Sequence, residues 1–192
     1  MEKGRPYALR PEDAKRRLAD ELARLCEEAA VKPVVIGGLA VNHHGYMRVT
    51  ADVDILVARR DAVALYRRLR SEPGWRRYSE GFKNTLLDVG LDICVEGERT
   101  APGSTEEFPD PARLRTVAAG PLPVPALAEL LALKVMSGRA RDDADVVELL
   151  KRHRSRMASL EKAAARSLKT DEARGRLGAL VARAKAEARR RR

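Results

Sequence analysis

The chain has 192 residues, of which 44% are hydrophobic and 4% aromatic, so we expect one domain with an appendage, or two small domains, around an aliphatic core. Its polar, charged start does not resemble a secretory signal, and no apolar run approaches the ~20 residues of a membrane span. These features argue against a transmembrane protein and, with two widely separated cysteines (Cys26 and Cys94), predict a cytoplasmic protein with buried free thiols.

The net charge of +10 is distributed unevenly along the chain. Residues 151–192 contain 15 Lys and Arg against 4 Asp and Glu, a net charge of +11, whereas residues 1–150 have a net charge of −1. Such asymmetry is typical of a segment that contacts an acidic partner, most often nucleic acid. A solvated, arginine-rich helix is the alternative interpretation of the same tail.

The periodicity predicts an amphipathic helix over residues 11–30. Four of its apolar residues recur at helical spacing: Leu18, Leu22, Leu25 and Ala29. A short strand over Val34–Ile36 leads into Gly37 and Gly38, where the missing Cβ atoms allow the backbone to turn and to approach a ligand closely. A short helix, Leu39–His44, follows, and the backbone N–H groups at its start would face an anion.

Asp52 and Asp54 lie one residue apart on the next predicted strand. Because side chains alternate along a strand, both carboxylates project from one face. Three apolar residues point the other way, into a core: Val53, Ile55 and Val57. Two adjacent carboxylates repel each other and usually need a cation. In an extended segment Arg48 and Thr50 share the face of Asp52, where Arg48 pairs either with Asp52 or with a phosphate.

A helix over Ala62–Arg70 is followed by two or three strands between residues 75 and 95. This stretch contains two further acids, Asp88 and Asp92. Asp88 lies near a turn at Gly90. Asp92 alternates with apolar residues and therefore faces away from them: Leu91, Ile93 and Val95.

Residues 96–125 are rich in Gly, Pro and charge, which predicts a loop with a short strand near Leu114–Val117 and makes it a candidate substrate lid. The helix over Leu127–Gly138 directs Lys134 at the inner edge of its apolar stripe. Lys134 either lies along that stripe with its ammonium group in solvent or reaches a triphosphate.

Asp142 and Asp145 fit the N-cap and first turn of a helix over Asp143–His153. Two basic helices then complete the chain, with Thr170-Asp171 as a cap and a loose end at Arg189–Arg192. Their apolar stripes consist of two sets of residues: Met157, Leu160, Ala164 and Leu168, then Leu177, Leu180, Val181 and Ala184.

The stretch from Pro33 to Leu150 resembles the nucleotidyltransferase superfamily, which has the polymerase-β-like fold. The first matching residues are Gly37-Gly38, a gap of thirteen residues and Asp52-Val53-Asp54-Ile55, together with Arg48-x-Thr50. The second set resembles bacterial members of the AbiEii toxin type: Lys134, four residues, Arg139, then Asp142-x-x-Asp145. The resemblance implies an α+β fold in which a mixed sheet is flanked by helices, with a catalytic domain over 1–125 and a helical, basic region over 126–192.

The resemblance also implies an enzyme that transfers a nucleoside monophosphate from a nucleoside triphosphate, such as ATP, to an acceptor hydroxyl. The catalytic residues would be Asp52, Asp54 and, in the context Leu91-Asp92-Ile93, Asp92, which would hold one or two Mg²⁺ ions. The nucleotide-binding residues would be Gly37, Gly38, Arg48, Thr50, Lys134 and Arg139.

Members of the superfamily modify antibiotics, RNA ends or proteins, so the resemblance leaves the acceptor open. The basic tail favours RNA, such as tRNA, or a toxin–antitoxin target, and a small-molecule antibiotic remains an alternative. A catalytically inactive protein that binds a partner or acts as an antitoxin, and a nucleic-acid-binding protein built on the tail, are two further classes. The sequence assigns no role to Asp88, Asp142 or Asp145.

Overall fold

The computed structural model describes residues 11–78 and 81–190, so residues 1–10 and the predicted loose residues Arg191 and Arg192 lie outside the described part. The chain forms seven α-helices within the described residues: α1 (Pro11–Glu28), α2 (Gly37–His43), α3 (Arg59–Ser71), α4 (Leu127–Ser137), α5 (Ala140–Arg152), α6 (Met157–Ala165) and α7 (Asp171–Arg190). The strands are β1 (Val34–Val35), β2 (Val53–Val57), β3 (Trp75–Tyr78), β4 (Gly81–Asn84), β5 (Val89–Val95), β6 (Thr116–Val117) and β7 (Val124–Pro125).

Five strands form one mixed sheet in the order β1-β2-β5-β4-β3. The central pair, β2 and β5, is parallel, and the other neighbours are antiparallel. The connection from β2 to β5 includes α3, as parallel neighbours require a crossover. This arrangement, followed by the helices α4 to α7, confirms the predicted α+β fold with a mixed sheet and C-terminal helices. The division at residue 125 stays a prediction.

The apolar stripes predicted from periodicity are buried. Leu18, Leu22 and Leu25 of α1 have no exposed surface, and every residue of the two stripes in the C-terminal helices is buried. One apolar cluster extends from α1 through the sheet to α7. The sequence predicted that α4 has one apolar stripe. In the structure all residues from Leu127 to Met136 are buried, so α4 is covered on all sides by neighbouring elements.

Several predicted boundaries differ from the structure. The helix expected over Leu39–His44 begins at Gly37, because the glycine pair forms the first helical turn instead of a separate loop. The segment 96–125 contains β6 and β7 as a two-stranded sheet, where the sequence predicted one short strand. Helix α7 reaches Arg190, so Arg189 is helical and not loose. Within the described residues, no helix is both long and apolar enough to cross a membrane.

Candidate active site

Two of the predicted catalytic aspartates lie directly opposite each other at the centre of the sheet. Asp54 of β2 is paired in register with Asp92 of β5. The neighbouring residues Val53 and Ile55 are fully buried on the other face. Asp52 precedes β2 and lies against Gly90, since a Cβ atom on that glycine would come within 2.3 Å of the Asp52 carboxylate. The parallel register therefore joins three carboxylates whose side chains share one face of the sheet.

The environment of Asp54 disfavours its charged form. The pKa of the Asp54 carboxyl is raised to about 6, first by burial and then by the negative charges of Asp92 and Asp52, against the opposing effects of Lys134 and of a hydrogen bond from the Gly38 backbone N–H. A carboxylate that is buried beside like charges gains from a bound cation. A cation bound beside Asp54 would therefore stabilise the charged form of its carboxylate.

The glycine pair allows the backbone to pass directly over the carboxylates. Gly37 has a φ of +63°, and a Cβ atom built there would lie 1.9 Å from Oδ2 of Asp54. A Cβ atom at Gly38 would lie 2.6 Å from Oγ1 of Thr50. Thr50 itself is buried, and its hydroxyl donates to the backbone carbonyl of Asp52 over 3.2 Å. Side chains at either glycine would thus displace the residues that shape the site.

Arg48 does not pair with Asp52, which corrects one of the two sequence-based alternatives. Its guanidinium instead makes a two-fold contact with Asp145, from Nε to Oδ1 over 2.6 Å and from Nη2 to Oδ2 over 2.7 Å. Asp145 is 1% exposed and lies on α5, close in space although distant in sequence. The strand pattern suggested Asp52 as a partner because it could not reveal how α5 packs.

Lys134 lies at the centre of the same ion network. Its Nζ is 2.5 Å from Oδ1 of Asp142 and 3.0 Å from Oδ2 of Asp145, and the lysine side chain is 8% exposed. Ser137 also donates to Asp142. Lys134 therefore neither extends into solvent nor lies free in the cavity. Helix α5 begins at Ala140 with no side-chain cap, so the expected N-cap role of Asp142 or Asp145 is wrong, although Asp142 does lie in the first turn.

A cavity of about 260 Å³ opens above the carboxylates. All nine residues predicted for catalysis or nucleotide binding line it: Gly37, Gly38, Arg48, Thr50, Asp52, Asp54, Asp92, Lys134 and Arg139. The exposed side chain of Arg139 makes one long contact, from Nη2 to the carbonyl of Thr100 over 3.5 Å. Thr100 and Phe108 bring the 96–125 segment to the edge of this cavity. Asp88 lies apart from it, on a turn beside β4, and pairs with Lys83 over 2.6 Å.

Arg141 is a lining residue that the sequence interpretation missed. It is exposed, it lies in the first turn of α5, and its Nη2 donates to the carbonyl of Val49 over 2.7 Å. A cation is electrostatically unfavourable at a helix N-terminus, so Arg141 at that position was a signal of a role other than helix stability. Cys94 also lines the cavity and is half-buried, whereas Cys26 is fully buried. Burial raises the pKa of both thiols to about 12.

The carboxylates offer oxygen ligands, which suit a hard divalent cation such as Mg²⁺. Among residues 11–78 and 81–190, no three His, Cys, Asp or Glu side chains are grouped closely enough to hold a metal ion alone. Mg²⁺ commonly uses one or two carboxylates, with substrate phosphates and water as its other ligands. The in-register pair of Asp54 and Asp92 therefore fits a cation that binds together with a nucleotide.

No protein-family model matches the chain, and no curated protein matches it in sequence. Among solved structures, it is similar to the crystal structure of ANT(2″)-Ia in complex with adenylyl-2″-tobramycin, with a TM-score of 0.44, 14% identity and coverage of 88% of this chain and 98% of that one. It is also similar to the solution structure of the antibiotic-resistance factor ANT(2″)-Ia, with a TM-score of 0.42, 12% identity and coverage of 95% and 98%. Likeness this low leaves the choice of function to the residues of the site.

Proposed function

We propose that this chain is a metal-dependent nucleotidyltransferase, which moves a nucleoside monophosphate from a nucleoside triphosphate to an acceptor hydroxyl. The observation that carries the proposal is the in-register pair of Asp54 and Asp92, with Asp52 beside it, facing a cavity that is also lined by four cationic side chains: Arg48, Lys134, Arg139 and Arg141. Carboxylates and cations around one cavity suit a substrate that combines phosphates with bound metal.

The cations divide into two pairs with different roles. Arg48 and Lys134 are held by the buried carboxylates of Asp145 and Asp142, so we assign them to shaping the wall and setting its potential. Arg139 and Arg141 have exposed side chains that bind backbone carbonyls and no carboxylate of the described residues. We therefore assign the triphosphate contacts to Arg139 and Arg141, because a guanidinium binds two phosphate oxygens at once.

In the proposed reaction the acceptor oxygen forms a bond to the α-phosphorus of the nucleotide. The bond between the α-phosphorus and the bridging oxygen to the β-phosphate breaks, and pyrophosphate leaves with that electron pair. The acceptor hydroxyl loses its proton to a carboxylate, for which exposed Asp92 is the candidate. One or two Mg²⁺ ions, held by Asp52, Asp54 and Asp92, would neutralise phosphate charge when bound. Gly37 leaves the space in which Asp54 can face the phosphates.

The acceptor remains to be chosen among RNA, a protein and a small molecule. The resemblance to the AbiEii toxin type favours a macromolecule such as tRNA as the acceptor. This resemblance is carried by Lys134, Arg139, Asp142 and Asp145. An aminoglycoside antibiotic is the alternative. As a polycation it would favour an acidic pocket, whereas the cavity here has acids and bases in similar number.

Label transfer tests the proposal. The protein is incubated with Mg²⁺, each α-labelled nucleoside triphosphate in turn, and one acceptor class at a time: bulk tRNA, cell-extract protein or an aminoglycoside mixture. Asp52→Asn/Asp54→Asn is the matched control, because it removes the charges and keeps the side-chain volumes. Transfer that requires both aspartates supports the enzyme and names its acceptor class. Absence of transfer together with absence of Mg²⁺-dependent nucleotide binding contradicts it and favours an inactive binding protein.

A further inference from the structure

An arginine cluster lies on the face of the sheet that is turned away from the candidate active site. Residues 59–77 contain seven arginines, no lysine and two acids, a net charge of +5 within the first 150 residues, whose total net charge is −1. Four of these arginines line a groove of about 470 Å³ between α3, the edge strand β3 and the end of β5: Arg59, Arg67, Arg70 and Arg77. We call this feature the arginine groove.

The arginines of the groove are available for a ligand. Arg68, which lies outside it, is bound by Glu28 and Glu72, whereas the four groove arginines form no ion pair with a carboxylate of the described residues. Glu98 is the one acid among the described lining residues. Four exposed positive charges without a carboxylate partner repel each other, so an arrangement of this kind is stabilised by binding an anion.

Part of the positive charge of the basic tail is paired with carboxylates. Arg176 binds Asp143 over 2.6 Å, and Lys151 and Arg183 both bind Glu187, over 2.9 and 2.8 Å. Of these two acids only Asp143 lies outside residues 151–192, so the net charge of +11 already includes the pairing with Glu187. The arginine groove differs from the tail because its four arginines line one cavity and none pairs with a carboxylate of the described residues.

The floor and length of the groove indicate the form of the anion. Arg59 and Arg70 are eleven residues apart on α3, a separation of ~16 Å, which is long enough to contact more than one phosphate of a nucleic-acid strand. Between the arginines lie Val63, which is 58% exposed, and Tyr66, whose ring is 6.0 Å from the Arg77 guanidinium. Apolar and aromatic side chains between cations suit unpaired bases, whereas a duplex keeps its bases stacked inside.

Strand β3 connects the groove to the catalytic face of the sheet. It is the edge strand, and its successive residues point to opposite faces, so Arg77 lines the groove while Arg76 faces the other way. Arg76 is paired in register with Lys83, and Lys83 with Gly90, against which Asp52 lies. Tyr78, 67% exposed, shares the face of Arg76. Cations and an exposed ring thus continue around the edge towards the aspartates.

We propose that the arginine groove binds the phosphate backbone of a single-stranded RNA segment and that the strand passes around the β3 edge to the catalytic carboxylates. The binding part of this inference stands on the groove alone. Its acceptor part rests on the proposed nucleotidyltransferase function, because it makes this RNA the substrate that presents the hydroxyl.

Binding of a fluorescent, mixed-sequence single-stranded RNA to the full chain tests the groove. Arg67→Gln/Arg70→Gln should weaken binding about tenfold and reduce the slope of log K against log salt concentration by about 1.4, since each lost phosphate contact on a single strand contributes about 0.7. Arg154→Gln/Arg156→Gln is the matched control, because it makes the same charge change at exposed residues in the tail and should leave binding within about twofold. Thermal unfolding of both variants establishes that they are folded.

Each remaining outcome separates this inference from the proposed function. The proposal that the groove binds single-stranded RNA would be overturned by equal losses of RNA binding in the two variants or by no loss in either. It would also be overturned by tighter groove-dependent binding of duplex RNA, poly-glutamate or anionic-lipid vesicles. In the label-transfer assay, Arg67→Gln/Arg70→Gln should raise KM for RNA with kcat and the nucleotide KM unchanged. If Arg67→Gln/Arg70→Gln does not change label transfer to RNA, the RNA bound in the groove is not the acceptor, whereas the nucleotidyltransferase proposal is unaffected. Groove-dependent RNA binding, without any transfer and without Mg²⁺-dependent nucleotide binding, supports the groove and contradicts the enzyme.

Discussion

Arg48 and Asp145 form a two-fold ion pair, with atom distances of 2.6 and 2.7 Å, across 97 residues of sequence. The pair ties the segment before β2 to helix α5, and Lys134 joins it from α4 over 3.0 Å. Three separate elements thereby fix one wall of the candidate active site. Because these charges are largely removed from water, their balance decides both stability and the shape of the cavity.

Asp145→Asn should therefore destabilise the protein severely. It leaves Arg48 and Lys134 largely buried without the carboxylate that both contact, and breaking a buried ion pair from one side costs about 3–5 kcal/mol. Chemical denaturation measures the loss in free energy of unfolding. Asp171→Asn is the control, because Asp171 also pairs with an arginine but its side chain is 100% exposed in the first turn of α7, and a loss of at most about 1 kcal/mol is expected there. A similar, small effect in both variants would contradict the role of Asp145.

The contribution of Asp54 to the stability of the metal-free protein should fall as the pH rises from 3.8 to about 6. Folding raises the pKa of the Asp54 carboxyl from 3.8 to about 6, so the folded state holds this proton more tightly than the unfolded state. The Asp54 contribution to the free energy of unfolding therefore decreases through this window, by on the order of 2 kcal/mol, and stays lower above it. The difference between the wild type and Asp54→Asn, measured by denaturation with chelator present, isolates this contribution. Parallel curves for the two proteins would contradict it.

Gly37→Ala should disable the site and destabilise the fold. The added Cβ would lie 1.9 Å from the Asp54 carboxylate, and the φ of +63° disfavours any side chain. We expect a loss of about 2 kcal/mol in stability and of most label transfer. The control is Gly178→Ala in α7, where a Cβ meets open space and alanine favours the helix by up to about 1 kcal/mol. Stabilisation in both variants would show that Gly37 is an ordinary helix residue.

Arg141→Gln should raise KM for the nucleotide about tenfold and leave stability nearly unchanged, since its exposed side chain contacts one backbone carbonyl. Steady-state kinetics at saturating acceptor measure the change. Arg156→Gln, also exposed but on the turn before α6, should leave the nucleotide KM unaltered. An unchanged nucleotide KM in Arg141→Gln would mean that, of these two arginines, only Arg139 contacts the phosphates.

Local patterns explain which parts could be predicted. The spacing of Leu18, Leu22 and Leu25 defined the buried face of α1, and strand alternation placed Asp52 and Asp54 on one face. The choice of Asp92 over Asp88 combined alternation with the resemblance to the nucleotidyltransferase superfamily in the context Leu91-Asp92-Ile93, and in the structure Asp88 lies on a turn with a φ of +56°. Each of these depends on residues close in sequence, where periodicity determines direction.

Contacts between distant elements could not be predicted. Nothing near Arg48 indicates that Asp145 lies beside it, because that depends on how α5 packs. The arginine groove escaped notice for a related reason, since its members come from α3 and β3 and only the fold distinguishes them from paired neighbours such as Arg68. Arg141 was overlooked beside Arg139 although its place at a helix start was informative.

The measurement that tests the central claim most directly compares α-labelled with γ-labelled nucleoside triphosphate in parallel reactions with Mg²⁺ and RNA. Nucleotidyl transfer predicts that the α label appears on the RNA, that the γ label appears in pyrophosphate, and that Asp52→Asn/Asp54→Asn abolishes both. Appearance of the γ label on the RNA would show phosphoryl transfer instead. Retention of both labels in intact nucleotide, with every acceptor class, would contradict an enzymatic role for Asp52, Asp54 and Asp92.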